Sequence, residues 1–308
     1  MNRGKHKLFY FLSCILFSVC WSPIPSFASD APPVLRLVFT IEKFYKDKLN
    51  TPIGIFVDKE RQEIYVADAG RAEVLIFDLK GHPLFKFGRE QGVSNPLDLV
   101  VKDSRIYLVQ EGKPYIEVFN YRGEPVDRVA PPEDTPFAPG RIAIDGDNNI
   151  YVIDKNKTTC LVFDKNDTFI GSIGKGLPSL AGIAVSKDRV YLITPFGGRV
   201  IQVYDKKGNF IMAFEGIEGE GGTLGLPTNA MIDRGGLLWL VDSMRGISVY
   251  KEDGIKLFQL GEYGPEKWQL FFPMDIDFDK GNMVYITNKR SKSIGVFAIE
   301  NQERLYGK

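Results

Sequence analysis

The chain has 308 residues, 39 basic and 39 acidic side chains, no net charge and 44% hydrophobic residues. That balance provides no basic field of the kind that holds nucleic acid or an anionic membrane surface. With three cysteines and two histidines it also excludes a dense disulfide scaffold and any histidine-rich metal centre.

The N-terminus places Arg3, Lys5 and Lys7 before a largely apolar run, residues 8–21, and then a polar stretch ending Ser26-Phe27-Ala28. A basic segment, an apolar segment and a small-x-small site form a secretory signal, and the apolar run is shorter than the ~20 residues a spanning helix needs. Cleavage is expected after Ala28, dividing the chain into a signal (residues 1–28) and one domain (residues 29–308), exported to the periplasm or beyond. The 280 residues that remain hold 36 basic and 39 acidic side chains, a net charge of minus three. Cys160 is then the one cysteine left, and beside Leu161, Val162 and Phe163 it reads as a small buried hydrophobe.

An alternating strand, residues 34–41, comes first. After it, short apolar runs built around one aromatic recur at Tyr65, Tyr107, Tyr151, Tyr191, Trp239 and Tyr285, at intervals of 42, 44, 40, 48 and 46 residues. A period in the forties signifies one repeated supersecondary unit whose faces are buried only by its neighbours. The first unit, residues 51–88, holds four apolar runs rich in β-branched and aromatic residues, separated by turn formers. Such runs predict strands, here named a to d, and four of them with their turns need about 40 residues. Strand a recurs as PIGIFVD, PLDLVVK, PGRIAID, LAGIAVS, PTNAMID and PMDIDFD, and strand c as VLIFD, IEVFN, CLVFD, IQVYD, ISVYK and IGVFA. An Asx-x-x-Gly turn follows strand c, with Asp167 in place of the glycine in the third unit. The sixth unit lacks a fourth strand, so residues 34–41 are expected to complete it and close the ring.

Together the PxGIAVD, IYVxD and xVxVFDxxG patterns resemble the NHL repeat, over roughly residues 34–300. The resemblance implies an all-β fold: a six-bladed β-propeller of four-stranded antiparallel blades. It also implies a strand a lining the central channel, with the b-to-c and d-to-a connections sharing one face. The acid ending strand b is present as Asp68, Asp154 and Asp242 but replaced by Gln110, Thr194 and Asn288.

On that geometry the third residues of strand a, Gly54, Asp98, Arg141, Gly182, Asn229 and Asp275, meet at the channel mouth on the b-to-c face. Asp277 lies two residues further along, on the same side. Two readings follow: a calcium-like site of Asp98, Asn229, Asp275 and Asp277, or a hydrated polar mouth in which Arg141 pairs with Asp98 or Asp275. No cofactor is the expectation, with calcium as the alternative. His82, the single histidine beyond the signal, falls on the opposite face, which removes histidine-based catalysis in the channel. The b-to-c loops carry Arg71, Lys113, Lys155, Lys157, Arg199, Arg245, Lys289, Arg290 and Lys292 against Glu73 and Glu111. This basic rim would steer an anionic partner. Trp268, in the irregular connection of residues 261–272, is the leading contact candidate. The sequence thus favours a monomeric, exported, non-enzymatic binding propeller with a protein partner in the envelope or extracellular space. The alternative is a metal-dependent hydrolase or lyase using the channel carboxylates.

Overall fold

The structure is a computed structural model that describes residues 31–132, 136–196, 198–216 and 223–306. The signal, residues 1–28, lies outside the described residues, as does part of the glycine-rich connection of residues 216–225.

Among the described residues the strands form six four-stranded antiparallel sheets and one small hairpin, Lys43–Phe44 with Asp47–Lys48. Blade 1 comprises Pro52–Asp58, Glu63–Asp68, Glu73–Asp78 and Pro83–Phe87. Blade 2 follows as Pro96–Lys102, Arg105–Gln110, Ile116–Asn120 and Pro125–Val129. Blade 3 consists of Pro139–Ile144, Ile150–Asp154, Thr159–Phe163 and Phe169–Ile173. Blade 4 contains Gly182–Val185, Arg189–Ile193, Ile201–Asp205 and Phe210–Phe214. Blade 5 contains Pro227–Ile232, Leu238–Asp242, Gly246–Tyr250 and Lys256–Leu260. Blade 6 has only Pro273–Phe278, Val284–Asn288 and Ser293–Glu300 from the C-terminal part of the chain. Its outer strand is Val34–Ile41, antiparallel to Ser293–Glu300 with Val34 opposite Glu300 and Ile41 opposite Ile294. The N-terminal strand therefore closes the ring, as the strand count requires, and covers an edge that would otherwise recruit another chain.

The recurring residues have separate structural tasks. The strand b aromatics are buried, from Trp239 at 0% exposure to Tyr151 at 3%. Each fills the space between blades, and most satisfy a polar tip: Trp239 Nε1 donates to Asp233 at 2.8 Å and the Tyr151 hydroxyl donates to Asp145 at 3.0 Å. After strand c, the Asx side chain accepts two amides of its own turn, as Asp205 does from Lys207 and Asn209. The glycine of that turn sits at positive φ, +82° for Gly81 and +88° for Gly208, and Asp167 adopts the same conformation at +64°. Cys160 is buried and free, and burial holds its thiol well above the usual range.

In five blades strand a opens on proline, opposite the last residue of strand b, and the register shifts before the third residue. Blade 4, which begins LAG in place of PxG or PxD, pairs without a shift. The proline tolerates the broken ladder because it has no amide to lose, and the irregularity turns the third side chain out of the regular pleat.

The acid that ends strand b is a tie, not a surface charge. Asp242 is fully buried and accepts the amides of Gly225, Leu226, Met244 and Arg245 at 2.6–3.0 Å. Asp68 does the same for Asn50, Thr51 and Arg71, and Asp154 for Ala138 and Asn156. One carboxylate thus fixes both the d-to-a connection and the b-to-c turn. Where the acid is replaced the connection is still held: Gln110 accepts from the Ser94 amide, Asn288 accepts from Phe271, and Thr194 donates to the Arg199 carbonyl.

Candidate active site in the central channel

The six strands a face one another around the axis in blade order. Each is an inner edge strand, with amides that no further strand can pair. Acidic and amide side chains of neighbouring blades take those amides. Asp98 of blade 2 accepts from Ile142 of blade 3 at 3.1 Å and from its own neighbour Leu99 at 2.9 Å. Asn229 of blade 5 accepts from Ile183 of blade 4 at 3.0 Å. Asp275 and Asp277 of blade 6 accept from Ile55 and Val57 of blade 1, at 3.0 and 2.7 Å. Gly54 and Gly182 leave room for this: a Cβ on Gly54 would stand 2.9 Å from Asp98 Oδ1, and one on Gly182 2.6 Å from the Asn229 Cα.

Arg141 lies at the centre of this layer. Its Nη1 is 3.3 Å from Asp275 Oδ2 and 3.7 Å from Asp98 Oδ2, and it also donates to the Ile53 carbonyl at 3.1 Å. Nη2 donates to the Met274 carbonyl at 3.0 Å. The side chain leaves blade 3 and ends on blades 6 and 1, across the axis. Asn229 Nδ2 completes the network with a 2.7 Å bond to Asp275 Oδ1.

A cavity of about 490 Å³ starts at this layer. It is walled by Val57, Val101, Ile144, Val185 and Ile232 and reaches the exposed a-to-b turns at Lys59, Glu60, Gly146 and Asn148. The cavity is therefore accessible from the a-to-b face and ends at the layer of Asp98, Asn229 and Asp275, which Arg141 crosses to reach Ile53 and Met274. Asp98, Arg141, Asn229 and Asp275 do converge as the repeat register predicts. They form a buried floor, however, where a hydrated mouth was expected, because the arginine crosses the layer.

Burial governs the titration of this floor. Loss of hydration, then the facing Asp275, push the Asp98 carboxyl far above its ordinary range, against the pull of Arg141. Asp275 is raised by burial too, opposed by Arg141. Asp277 is raised to about 6 by burial, with Lys59, whose Nζ is 4.0 Å away, acting in the other direction.

The calcium reading does not fit these donors. The oxygens of Asp98, Asp275 and Asp277 accept backbone amides or Asn229 and so are oriented by the strands, each with a lone pair to spare, so it is not their acceptor capacity that is lacking. A guanidinium stands between the first two carboxylates, where a cation would have to sit. No group of three or more His, Cys, Asp or Glu side chains among the described residues is arranged to hold a metal ion.

The other candidates lie elsewhere. His82 is exposed, its Nδ1 2.8 Å from Asp78 in the c-to-d turn of blade 1, and it does not line the channel. Arg71 is paired with Glu73 and Asp47, and Lys113 with Glu117, so two cations of the basic rim are neutralised locally. Lys155, Lys157, Arg199, Arg245 and Arg290 are exposed, and Arg290 lies over the rings of Phe271 and Phe272. Trp268 is half exposed at 49%, in a connection anchored by the buried Leu270. Phe272, the last residue of that connection, is half-buried at φ +61°. None of these rim residues lines the cavity; the residues the rim argument missed are Lys59 and Asp145, at its open end on the other face.

This geometry is a six-bladed β-propeller. No family model matches the chain, and no curated protein does. Among solved structures, a gluconolactonase from Xanthomonas campestris aligns with 16% identity over 88% of this chain and 96% of its own, with a TM-score of 0.68. A streptogramin B lyase aligns with 12% identity over 87% and 98%, TM-score 0.63. A luciferin-regenerating enzyme aligns with 15% identity over 87% and 95%, TM-score 0.63.

The expectation of a non-enzymatic binding platform is corrected by these likenesses, since the three solved propellers named here, each aligned over 87% or more of this chain, bear the names of enzymes. With no histidine in the channel, carboxyl groups are the acid–base groups of the alternative reading, and burial raises one of them, Asp277, to about 6.

Proposed function

We propose that the chain is a hydrolase or lyase that works by carboxyl acid–base chemistry in the closed end of its central channel. The observation that carries this reading is the set of three buried carboxyl groups, Asp98, Asp275 and Asp277, lining one apolar-walled cavity beside a single guanidinium. Such environments drive titratable groups apart and assign their roles.

At neutral pH Asp277, raised to about 6, is ionised in most molecules and accepts a proton, from a water or from a carbon next to a carbonyl. Asp98 retains its proton more strongly and donates a hydrogen bond to the carbonyl oxygen as negative charge grows there. Arg141 holds the Asp98 and Asp275 side chains in place and offsets the charge of Asp275. The apolar side chains Val57, Val101, Ile144, Val185 and Ile232 beside the floor lower the local polarity and strengthen each of these interactions, while the open a-to-b end admits substrate and water. Water attack, with the proton taken by Asp277 then passed to the departing oxygen as the acyl–oxygen bond breaks, gives hydrolysis; proton removal from the carbon with the same return of the proton to the leaving oxygen gives elimination. Esters and lactones have the carbonyl and leaving oxygen that both routes need, and the likeness to a gluconolactonase and a lyase favours the same class.

The test is a panel of lactones and simple esters, incubated in EDTA with the wild type and Asp277→Asn. Turnover by the wild type, lost in the variant at an unchanged fold, is expected. No turnover on any substrate, or equal turnover by the variant, contradicts the proposal. Export of an NHL-like propeller completes the reading: the mature protein is expected to begin at Ser29, and N-terminal sequencing checks it.

A further inference from the structure

We infer that Arg141 is a built-in cation of the channel, a fixed substitute for a divalent metal. The inference rests on the geometry of the floor and is independent of the activity proposed above.

Asp98 and Asp275 come from blades 2 and 6, are 2% and 3% exposed, and face each other across the axis region. Two buried carboxyl groups that both stand within 3.7 Å of one nitrogen, Arg141 Nη1, need a positive charge between them or a retained proton. The guanidinium delivers that charge along a side chain from blade 3, the blade opposite blade 6. It is not a loose partner: two backbone carbonyls, of Ile53 and Met274, accept from it in addition to the Asp275 carboxylate, and Asp98 is an ion-pair partner at 3.7 Å. Four oxygens from blades 1, 2 and 6 around one positive group resemble the oxygen-rich shell of a hard cation. The layer next to them is finished by Asn229, whose amide donates to Asp275.

The arrangement makes a definite statement about substitution. With the guanidinium removed, Asp98, Asp275 and the two carbonyls are left as a vacant oxygen shell with uncompensated negative charge. That shell is a divalent-cation site which the native protein lacks.

The experiment is thermal unfolding of the wild type, Arg141→Ala and the double variant Arg141→Ala/Asp275→Asn, each with EDTA or millimolar Ca²⁺. The wild type is expected to melt at one temperature in both media. Arg141→Ala is expected to melt lower in EDTA and to regain about 5 °C in Ca²⁺, a response that the double variant loses. A wild-type response to Ca²⁺ that disappears in Asp275→Asn would overturn the inference, since the metal would then share the site with Arg141. An Arg141→Ala chain that melts like the wild type and ignores Ca²⁺ would overturn it too. If Arg141→Ala does not fold in EDTA, its refolding in Ca²⁺ decides: recovery of the native fold supports the inference, and failure in both media rejects it.

Discussion

At the scale of single residues, the most consequential side chains are those that serve two backbone segments at once. Asp242 accepts four amides in a fully buried position, so Asp242→Ala leaves several donors unsatisfied and is expected to cost at least ~3 kcal/mol in urea unfolding. Thr194→Val at the equivalent place in blade 4 removes only a hydroxyl donor and is expected to cost far less, about 1 kcal/mol. Equal losses would show that the strand b acid is not the tie it is described as. The sequence marks these positions because the acid recurs at the repeat period. It does not reveal what they bond to, and an aspartate ending a strand reads equally well as a surface charge. The same limit applies to the channel floor. The register placed Asp98, Arg141, Asn229 and Asp275 in one layer, since third residues of equivalent strands share a height. It could not show that Arg141 is long enough, and aimed, to cross to Ile53 and Met274. Periodicity carries no information on where that one side chain ends.

At the scale of elements, the ring depends on a strand taken from the other end of the chain. Val34–Ile41 packs Leu35 and Leu37 against the blade 5 and blade 6 core and covers Ser293–Glu300. This closure was legible in the sequence as an alternating strand left over at one end and a strand missing at the other. Deleting residues 31–41 is expected to expose an edge of eight residues and lower stability by several kcal/mol, with association of the truncated chains in light scattering. A truncated chain that stays monomeric and melts with the parent would contradict this closure. The blade boundaries were legible for the same reason as the closure: turn residues and prolines recur where ladders start and stop. The irregular connection of residues 261–272 was not, because it has no counterpart from which to infer packing. Its half-buried Phe272 is at positive φ, a strain that only the surrounding contacts can hold.

At the scale of the whole molecule, the buried floor couples stability to pH. Asp98, Asp275 and Asp277 all have folded-state pKa values above those of the unfolded chain, with burial as the first cause. The folded protein therefore binds more protons than the unfolded one in the interval between the two values. For Asp277 the stabilising contribution is complete below about 4, the unfolded value, and is lost as pH rises through about 6. Carboxylates held low by their turn amides, such as Asp205, act in the opposite sense and weaken the fold in strong acid. The expected outcome is that Asp277→Asn melts below the wild type near pH 4.5, gains on it as pH is raised, and so narrows the difference by pH 7.5. A difference between the two proteins that is constant with pH would place Asp277 in an ordinary hydrated setting.

The measurement that bears most directly on the channel as a site of acid–base chemistry is the pH dependence of kcat/KM for a turned-over ester or lactone, in the wild type and in Asp277→Asn. The expected result is a rate that rises with pH through an apparent pKa near 6 in the wild type, the mark of a buried carboxyl acting as base, and only residual turnover without such a limb in the variant. A wild-type profile that is flat through this range, or a variant that retains the same limb, would contradict it.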